Sequence, residues 1–130
     1  MAKILIVEDD AFLSDLYLHT FTFSGFDTHI AKNGLEGFDK AVEVNPDIIF
    51  LDIMMPKMNG IDLMKKLKEQ EATKNIPIVI LSNFSDEALA KEAMANGALA
   101  YIIKSEYEPK QVIQMTNDWL AKKTPEPPAQ

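Results

Sequence analysis

The chain has 130 residues, which is about one domain, and a domain of this size can fold without disulfides or structural metals. It contains no cysteine, which excludes a disulfide framework, a thiolate metal site and a cysteine nucleophile. The net charge is −7 and all 13 cationic side chains are lysines, so the sequence lacks the basic face that is typical of nucleic-acid-binding domains.

Five short apolar runs predict the strands. Three of them are nearly continuous in Ile, Leu and Val, which is typical of strands buried on both faces of a parallel sheet. Thr28 and His29 interrupt the second run, so we expect that strand nearer an edge. In chain order the runs cover residues 3–7, 26–31, 47–51, 77–81 and 98–103.

A helical pattern follows each run. Gly25, Asn45 before Pro46, and Asn96 before Gly97 provide stop signals, and Pro109 is suited to the first helical position of the last helix. The positions predicted to share a helix face are Leu13, Leu16, Thr20 and Phe21; Leu35, Phe38 and Val42; Ile61, Met64, Leu67 and Lys68; Leu89, Ala93 and Met94; and Val112, Met115, Thr116 and Trp119.

Strict alternation of strands and helices predicts the α/β class, with a parallel sheet covered on both faces by crossover helices. We expect this single domain to span residues 1–121. Residues 122–130 are rich in proline and polar side chains, so we expect a disordered tail or a linker there.

Polar residues follow four of the predicted strands, where an open parallel sheet binds its ligands. The first strand is followed by Glu8 and two aspartates, the third by Asp52, the fourth by Ser82 and the fifth by Lys104. Clustered carboxylates favour a hard cation such as Mg²⁺, and a carboxylate can serve as the nucleophile that forms an aspartyl phosphate. A cation, a lysine and a hydroxyl would stabilise the phosphoryl group during transfer.

Each of these residues has a simpler interpretation when it is considered alone. Asp10 is as well suited to capping the following helix as to a role near a cation. Lys104 alone would be a solvated surface lysine, and Ser82 alone would be a turn residue. Their joint occurrence at strand ends on one side of the sheet is what favours a functional site.

These residues lie in four motifs: ILIVEDD, DIIFLDIMMPKMNG, IPIVILSN and GALAYIIKS. In their order and spacing the motifs resemble the receiver domain of two-component response regulators, of the chemotaxis type. The resemblance covers residues 2 to about 121. It implies a flavodoxin-like doubly wound sheet of five parallel strands, (βα)5, in the order 2-1-3-4-5.

The resemblance also implies a role for each acidic residue. Asp52 would be the phosphorylated aspartate and a ligand of Mg²⁺ or Mn²⁺. Asp9 would bind the cation directly and Glu8 through water, while the backbone carbonyl of Met54 would be a further ligand.

By the same resemblance, Ser82 would donate a hydrogen bond to the phosphoryl group and Lys104 would pair with one of its oxygens. Tyr101 occupies the aromatic switch position, although an ordinary place at the edge of the core remains open for it. In the switch model Ser82 moves toward the phosphoryl group and Tyr101 rotates into the vacated space.

The sequence departs from the family at Ser105, where a proline, often after a cis peptide bond, usually follows the lysine. A cis bond before a residue other than proline costs roughly 2.5–4 kcal/mol, so we expect Lys104–Ser105 to be trans, with a shifted loop before the last helix.

The resulting expectation is a phosphorylation-switched signalling domain rather than an enzyme, whose output is binding through the face formed by its fourth helix, fifth strand and fifth helix. The phosphoryl donor would be a sensor histidine kinase or a histidine phosphotransfer protein, and the output protein is open. We expect a cytoplasmic location, no direct contact with nucleic acid or membrane, and a monomer or a phosphorylation-linked dimer. The alternatives are a receiver-like scaffold that is never phosphorylated, a fragment of a larger regulator, and an aspartate-nucleophile phosphatase; Met54, where that class carries a second aspartate, disfavours the last.

Overall fold

The structure, a computed structural model, describes residues 1–53, 55, 58–83 and 86–121. Its strands are β1 (Lys3–Val7), β2 (Asp27–Ala31), β3 (Ile48–Asp52), β4 (Ile78–Ser82) and β5 (Ala100–Ile103). Its helices are α1 (Ala11–Phe23), α2 (Gly34–Val44), α3 (Gly60–Glu69), α4 (Glu87–Ala95) and α5 (Pro109–Ala121). All the predicted elements are therefore present, and each strand lies within two residues of its expected bounds. The predicted tail, residues 122–130, lies outside the described residues.

The five strands form one parallel sheet in the order β2-β1-β3-β4-β5. This confirms the predicted fold class and strand order, and it places β2 at an edge as expected. The register keeps the strand ends level, because Asp52 pairs with Leu81 and Ser82 pairs with Ile103. The carboxyl ends of β1, β3, β4 and β5 consequently meet along one edge of the sheet.

Alternate residues of the strands enter two separate cores, one on each face of the sheet. On one face Leu5 and Val7 pack with residues of α2, α3 and α4, including Leu63 and Met64. On the other face the core consists of strand residues and the inner sides of α1 and α5. Phe21 lies at the centre of that second core, with its ring centroid 5.5 Å from those of both Phe26 and Phe50.

The faces of α1 and α2 differ from the prediction. The buried residues of α1 are Ser14, Tyr17 and Phe21, whereas Leu16 is at the surface. In α2 the buried residues are Gly34, Gly37 and Ala41, and both Leu35 and Val42 are exposed. In α2 the small inner residues let the helix lie close to the sheet, as at Gly37, where an added Cβ would lie 2.9 Å from Val7, so the size of the apolar residues did not indicate which side is buried.

The helix ends use the expected signals. Gly25 and Gly97 have positive φ, and Asn45 adopts the left-handed conformation that ends α2. Asp86 caps α4 by accepting hydrogen bonds from two backbone N–H groups in its first turn.

The segment after β5 contains Ser105, the position at which the sequence departs from the family's proline. The Lys104–Ser105 bond is trans, like every peptide bond of the described residues, as predicted. Lys104–Glu106 form a short 3-10 turn, and Pro109 is the first residue of α5. None of the described helices is long and apolar enough to cross a membrane.

Candidate functional site

The end of β1 supplies three acidic residues that have different surroundings. Glu8 is buried, whereas Asp9 is exposed. The Asp10 carboxylate caps α1 by accepting a hydrogen bond from the N–H of Leu13 at 3.0 Å, and the Asp10 N–H donates to Glu8 Oε2 at 3.2 Å. Asp10 is therefore the helix cap, and its backbone helps to orient Glu8.

Lys104 lies at the centre of the site. Its ammonium group donates a hydrogen bond to Glu8 Oε1 at 2.6 Å and lies 3.4 Å from Asp52 Oδ2. The side chain of Lys104 is only 6% exposed, so these ion pairs are shielded from water. The ammonium group of this one lysine thus holds the ends of β1, β3 and β5 together.

Glu8, Asp9 and Asp52 form a group that suits a divalent cation. Each offers a carboxylate oxygen, and the three oxygens lie within 4.8 Å of one another. Oxygen ligands without sulfur or imidazole are the set that Mg²⁺ and Mn²⁺ prefer. With three carboxylates and one ammonium, the site keeps an excess of negative charge that a cation would neutralise.

The pKa of Glu8 reflects this crowding. Burial raises it to about 7, and the nearby negative charge of Asp52 raises it as well, whereas the hydrogen bond from Lys104 acts in the opposite direction. Near neutral pH this carboxyl group is therefore partly protonated, so binding of a cation here would be coupled to proton release.

Tyr17 is a neighbour of the site that the sequence did not suggest. It lies on the inner side of α1, and its pKa is raised by burial and by the charge of Glu8. Its phenol therefore lies within the electrostatic range of the acidic group. The available sequence signal was its position four residues after Leu13 and four before Phe21, both of which were assigned to one side of this helix.

The acidic group opens to solvent through a cleft of about 280 Å³. The exposed side chain of Asn83, directly after β4, lies on its rim. The cleft is lined by Glu8, Asp9, Asp10, Leu13, Asp52, Asn83 and Lys104.

The remaining predicted residues lie at or near the same edge. Ser82 ends β4 and is fully buried beside the strand that carries Asp52. Tyr101 is half-buried in β5, is paired with Ile80 and packs against the core beneath α4. Met54 lies outside the described residues. The structure thus brings Glu8, Asp9, Asp52, Ser82 and Lys104 to one edge of the sheet, with Tyr101 set back from it.

The fold and this acidic edge define a class of doubly wound α/β domains with a group of carboxylates at the strand ends. Residues 4–117 match the model of the response regulator receiver domain family. The chain belongs to that family, whose members are signalling domains of two-component systems.

Individual relatives agree with this assignment. The DNA-binding response regulator MtrA of Mycobacterium tuberculosis is 33% identical over 125 residues, which are 96% of this chain and 53% of that protein. The chain therefore spans about half the length of this curated relative.

Solved structures resemble the chain over nearly its whole length. Vibrio cholerae chemotaxis protein CheY4 superimposes with a TM-score of 0.85 at 28% identity, covering 91% of this chain and 98% of that one. CheY in a CheX-CheY-BeF3-Mg²⁺ complex from Borrelia burgdorferi gives a TM-score of 0.81 at 32% identity, covering 90% and 87%.

Proposed function

We propose that Asp52 accepts a phosphoryl group from a phosphohistidine donor and that this modification switches the binding properties of the domain. The observation that carries the proposal is the position of the Asp52 carboxylate. It is buried, lies 3.4 Å from the Lys104 ammonium and belongs to the acidic group that lines the cleft. A carboxylate in this setting has a nearby positive charge to stabilise a transferred phosphoryl group.

Glu8, Asp9 and Asp52 would hold Mg²⁺ or Mn²⁺ at this site, with the backbone carbonyl of Met54 as a further expected ligand. When bound, the cation would neutralise charge on the phosphoryl oxygens. The Borrelia burgdorferi relative is described as a complex with Mg²⁺, which supports this choice. Because Glu8 contacts Lys104 in the free protein, a cation at Glu8 would release the ammonium group for another partner.

In the proposed transfer, an oxygen of Asp52 attacks phosphorus while the bond from phosphorus to the donor imidazole breaks. Lys104 would then pair with a phosphoryl oxygen in place of Glu8, and the Ser82 hydroxyl would donate a second hydrogen bond. Movement of Ser82 would leave space beside β5, into which Tyr101 would rotate. The α4-β5-α5 face would change as a result, and an output protein would recognise it.

The cellular setting is part of the same proposal. A sensor histidine kinase or a histidine phosphotransfer protein would be the donor, and the domain, residues 1–121, would assist only its own phosphorylation and dephosphorylation. A cytoplasmic location and a monomer or a phosphorylation-linked dimer fit this role. Since the longer curated relatives extend beyond the matched region, the output could also reside in a longer protein that contains this domain.

The test is to incubate the protein with Mg²⁺ and acetyl phosphate and to measure its intact mass. We expect a gain of one phosphoryl group that disappears in Asp52→Asn and when the cation is removed by a chelator. Asp47→Asn is a matched control, because Asp47 lies at the opposite end of β3, where it accepts a hydrogen bond from the Lys3 N–H. A wild-type protein that gains no mass would instead support the unphosphorylated scaffold.

A further inference from the structure

Helix α3 begins in direct contact with the main chain of Asp52. A Cβ atom added to Gly60, the first residue of α3, would lie 2.5 Å from the Asp52 carbonyl oxygen and 2.9 Å from the Ile53 Cα. Non-bonded carbon atoms prefer separations of about 3.5–4.0 Å, so an added methyl group would not fit at either distance. Glycine is therefore the residue that permits this approach between the helix and the end of β3.

A hydrogen bond joins the same two segments. The Gly60 N–H donates to the Ile53 carbonyl oxygen at 3.0 Å, so an N–H group of the first helical turn is satisfied by the chain that leaves β3. Asn59 caps the helix one residue earlier, because its side chain accepts a hydrogen bond from the Asp62 N–H at 2.9 Å. The start of α3 is thus attached to the end of β3 by contact and by a hydrogen bond.

Helix α3 has little freedom to move away from this contact. Its inner side is packed in the core on that face of the sheet, where the buried residues of α3 include Ile61, Leu63, Met64 and Leu67. Close packing of such side chains means that an outward shift of the helix would leave a cavity beneath it.

The end of β3 is held less firmly than the helix. The pairing of β1 with β3 ends at Leu51, so Asp52 is paired with β4 alone. The next main-chain hydrogen bond, from the Ile53 N–H to the Leu81 carbonyl oxygen, is 3.3 Å long. An atom added at Gly60 would therefore displace the end of β3, and the Asp52 carboxylate with it.

We propose that Gly60 is a positioning residue of the phosphorylation site, which fixes the Asp52 carboxylate through contact with the main chain at the end of β3. This role rests on the proposed function, since it concerns how Asp52 is held for phosphoryl transfer. The Asp52 carboxylate lies 3.4 Å from the Lys104 ammonium and shares a cluster of oxygens with Glu8 and Asp9. A misplacement of about 1 Å within such a group can slow a reaction by about a hundredfold.

Gly37 of α2 provides a matched control within the same fold. A Cβ atom added there would lie 2.9 Å from Val7 Cγ2 and 3.2 Å from Leu63 Cδ2, so the crowding is of a similar degree. Both neighbours are side-chain atoms of the core, and neither residue belongs to the acidic group. Gly37→Ala therefore disturbs packing without touching the main chain of Asp52.

The test compares the wild type, Gly60→Ala and Gly37→Ala as full chains. Urea unfolding without Mg²⁺ identifies a temperature at which all three are folded, and both variants should be less stable than the wild type. At that temperature, Gly60→Ala should bind Mg²⁺ about tenfold more weakly and, at saturating Mg²⁺, react with acetyl phosphate at least about tenfold more slowly. Gly37→Ala should match the wild type in both measurements, which are made by calorimetry and by intact mass.

A second pair of variants adds no atom and covers the case in which Gly60→Ala does not fold. Asn59→Ala removes the cap of α3, and Asn33→Ala removes the equivalent cap of α2, which accepts a hydrogen bond from the Glu36 N–H, also at 2.9 Å. Both should lose similar stability, since the two caps are alike. Only Asn59→Ala should be phosphorylated more slowly, by about threefold, because its first turn no longer holds Gly60 on Ile53.

The outcomes separate this role from the proposed function. A wild type that gains no phosphoryl group refutes the proposed function and the positioning role together. A wild type that is phosphorylated beside a folded Gly60→Ala with the same rate and Mg²⁺ affinity overturns the positioning role alone. Equal losses in Gly60→Ala and Gly37→Ala, or equal rates in Asn59→Ala and Asn33→Ala, would overturn it as well.

Discussion

The carboxyl edge of the sheet and the outer side of α1 depart from ordinary protein surfaces in opposite ways. At the edge, Glu8, Asp52 and Lys104 are withdrawn from water although all three can carry charge. On α1, only a short distance along the chain, Phe12 and Phe23 are left in water although both are aromatic. Folding alone favours neither arrangement, because buried charge and exposed apolar surface both cost free energy.

The difference lies in how each region is held: the edge groups charged side chains close to one another, whereas the outer side of α1 leaves apolar side chains in water. The edge is preorganised for small charged groups, since its side chains are already held by one another. The side chains on the outer side of α1, by contrast, have few neighbours of their own. The inner side of α1 provides the reference for both regions, since it is apolar and buried.

The largest expected effect is on the free energy of unfolding, and it should differ between substitutions on the two sides of α1. Phe21→Ala should lower the free energy of unfolding by about 4 kcal/mol, because it leaves a cavity among Tyr17, Phe26 and Phe50. Phe23→Ala, only two residues away, should change it by less than about 0.5 kcal/mol. Urea unfolding at low micromolar concentration, where any dimer dissociates, measures both. A large loss for Phe23→Ala would mean that the outer side is packed within one chain.

The next effect concerns the buried charges. Lys104→Met should lower the free energy of unfolding by about 3 kcal/mol in the absence of divalent cations, because it leaves Glu8 and Asp52 without a positive partner. The loss should be greater at pH 8 than at pH 5.5, where Glu8 can take up a proton. Mg²⁺ should restore part of the stability. Lys91→Met, at an exposed position of α4, serves as the control and should be nearly neutral.

A smaller effect should follow from the titration of Glu8. Its pKa of about 7 in the folded protein is above its ordinary value of 4.5, so the folded state binds more protons than the unfolded state between these values. Stability of the cation-free protein should therefore fall as pH rises from about 5 to 7.5. Over the same range, Mg²⁺ affinity should rise by up to about tenfold per pH unit, because the cation needs the ionised carboxylate.

Calorimetric titrations with Mg²⁺ in two buffers of different ionisation enthalpy would measure the proton release directly. Glu8→Gln cannot titrate, so its Mg²⁺ affinity should be weaker and nearly independent of pH in this range. If the Mg²⁺ affinity of Glu8→Gln depended on pH as steeply as that of the wild type, the released proton would come from a group other than Glu8.

The sequence predicts the sheet and the site for the same reason. Continuous apolar runs mark buried parallel strands, and the carboxyl ends of those strands meet at one edge whatever the details of the helices. Residues that directly follow a strand, such as Asp52 and Lys104, are thereby placed without knowledge of any side-chain packing. The metal ligands and the roles of the individual residues came from family resemblance and remain predictions.

The helix faces were harder to predict, because several strong apolar residues lie on both sides of α1. Leu16 was assigned to the same side as Phe21, although Ser14 and Tyr17 occupy the buried positions beside it. A small or polar residue can be buried where a helix approaches the sheet closely, and periodicity of apolar residues does not report that. Tyr17 is in register with Leu13 and Phe21, but its position within range of the Glu8 charge depends on how α1 packs beside the end of β1, which the sequence does not report.

The hydrogen bond between Glu8 and Lys104 joins residues that are 96 positions apart in the sequence. It links the first strand to the turn after the last one, so it cannot form until β5 has joined the sheet. Contacts of such long range form late, because closing the intervening loop costs entropy. A chain still emerging from the ribosome, or one cut before β5, therefore holds Asp52 without its lysine. The charge arrangement proposed for phosphoryl transfer thus arises only in a chain that has completed its fold.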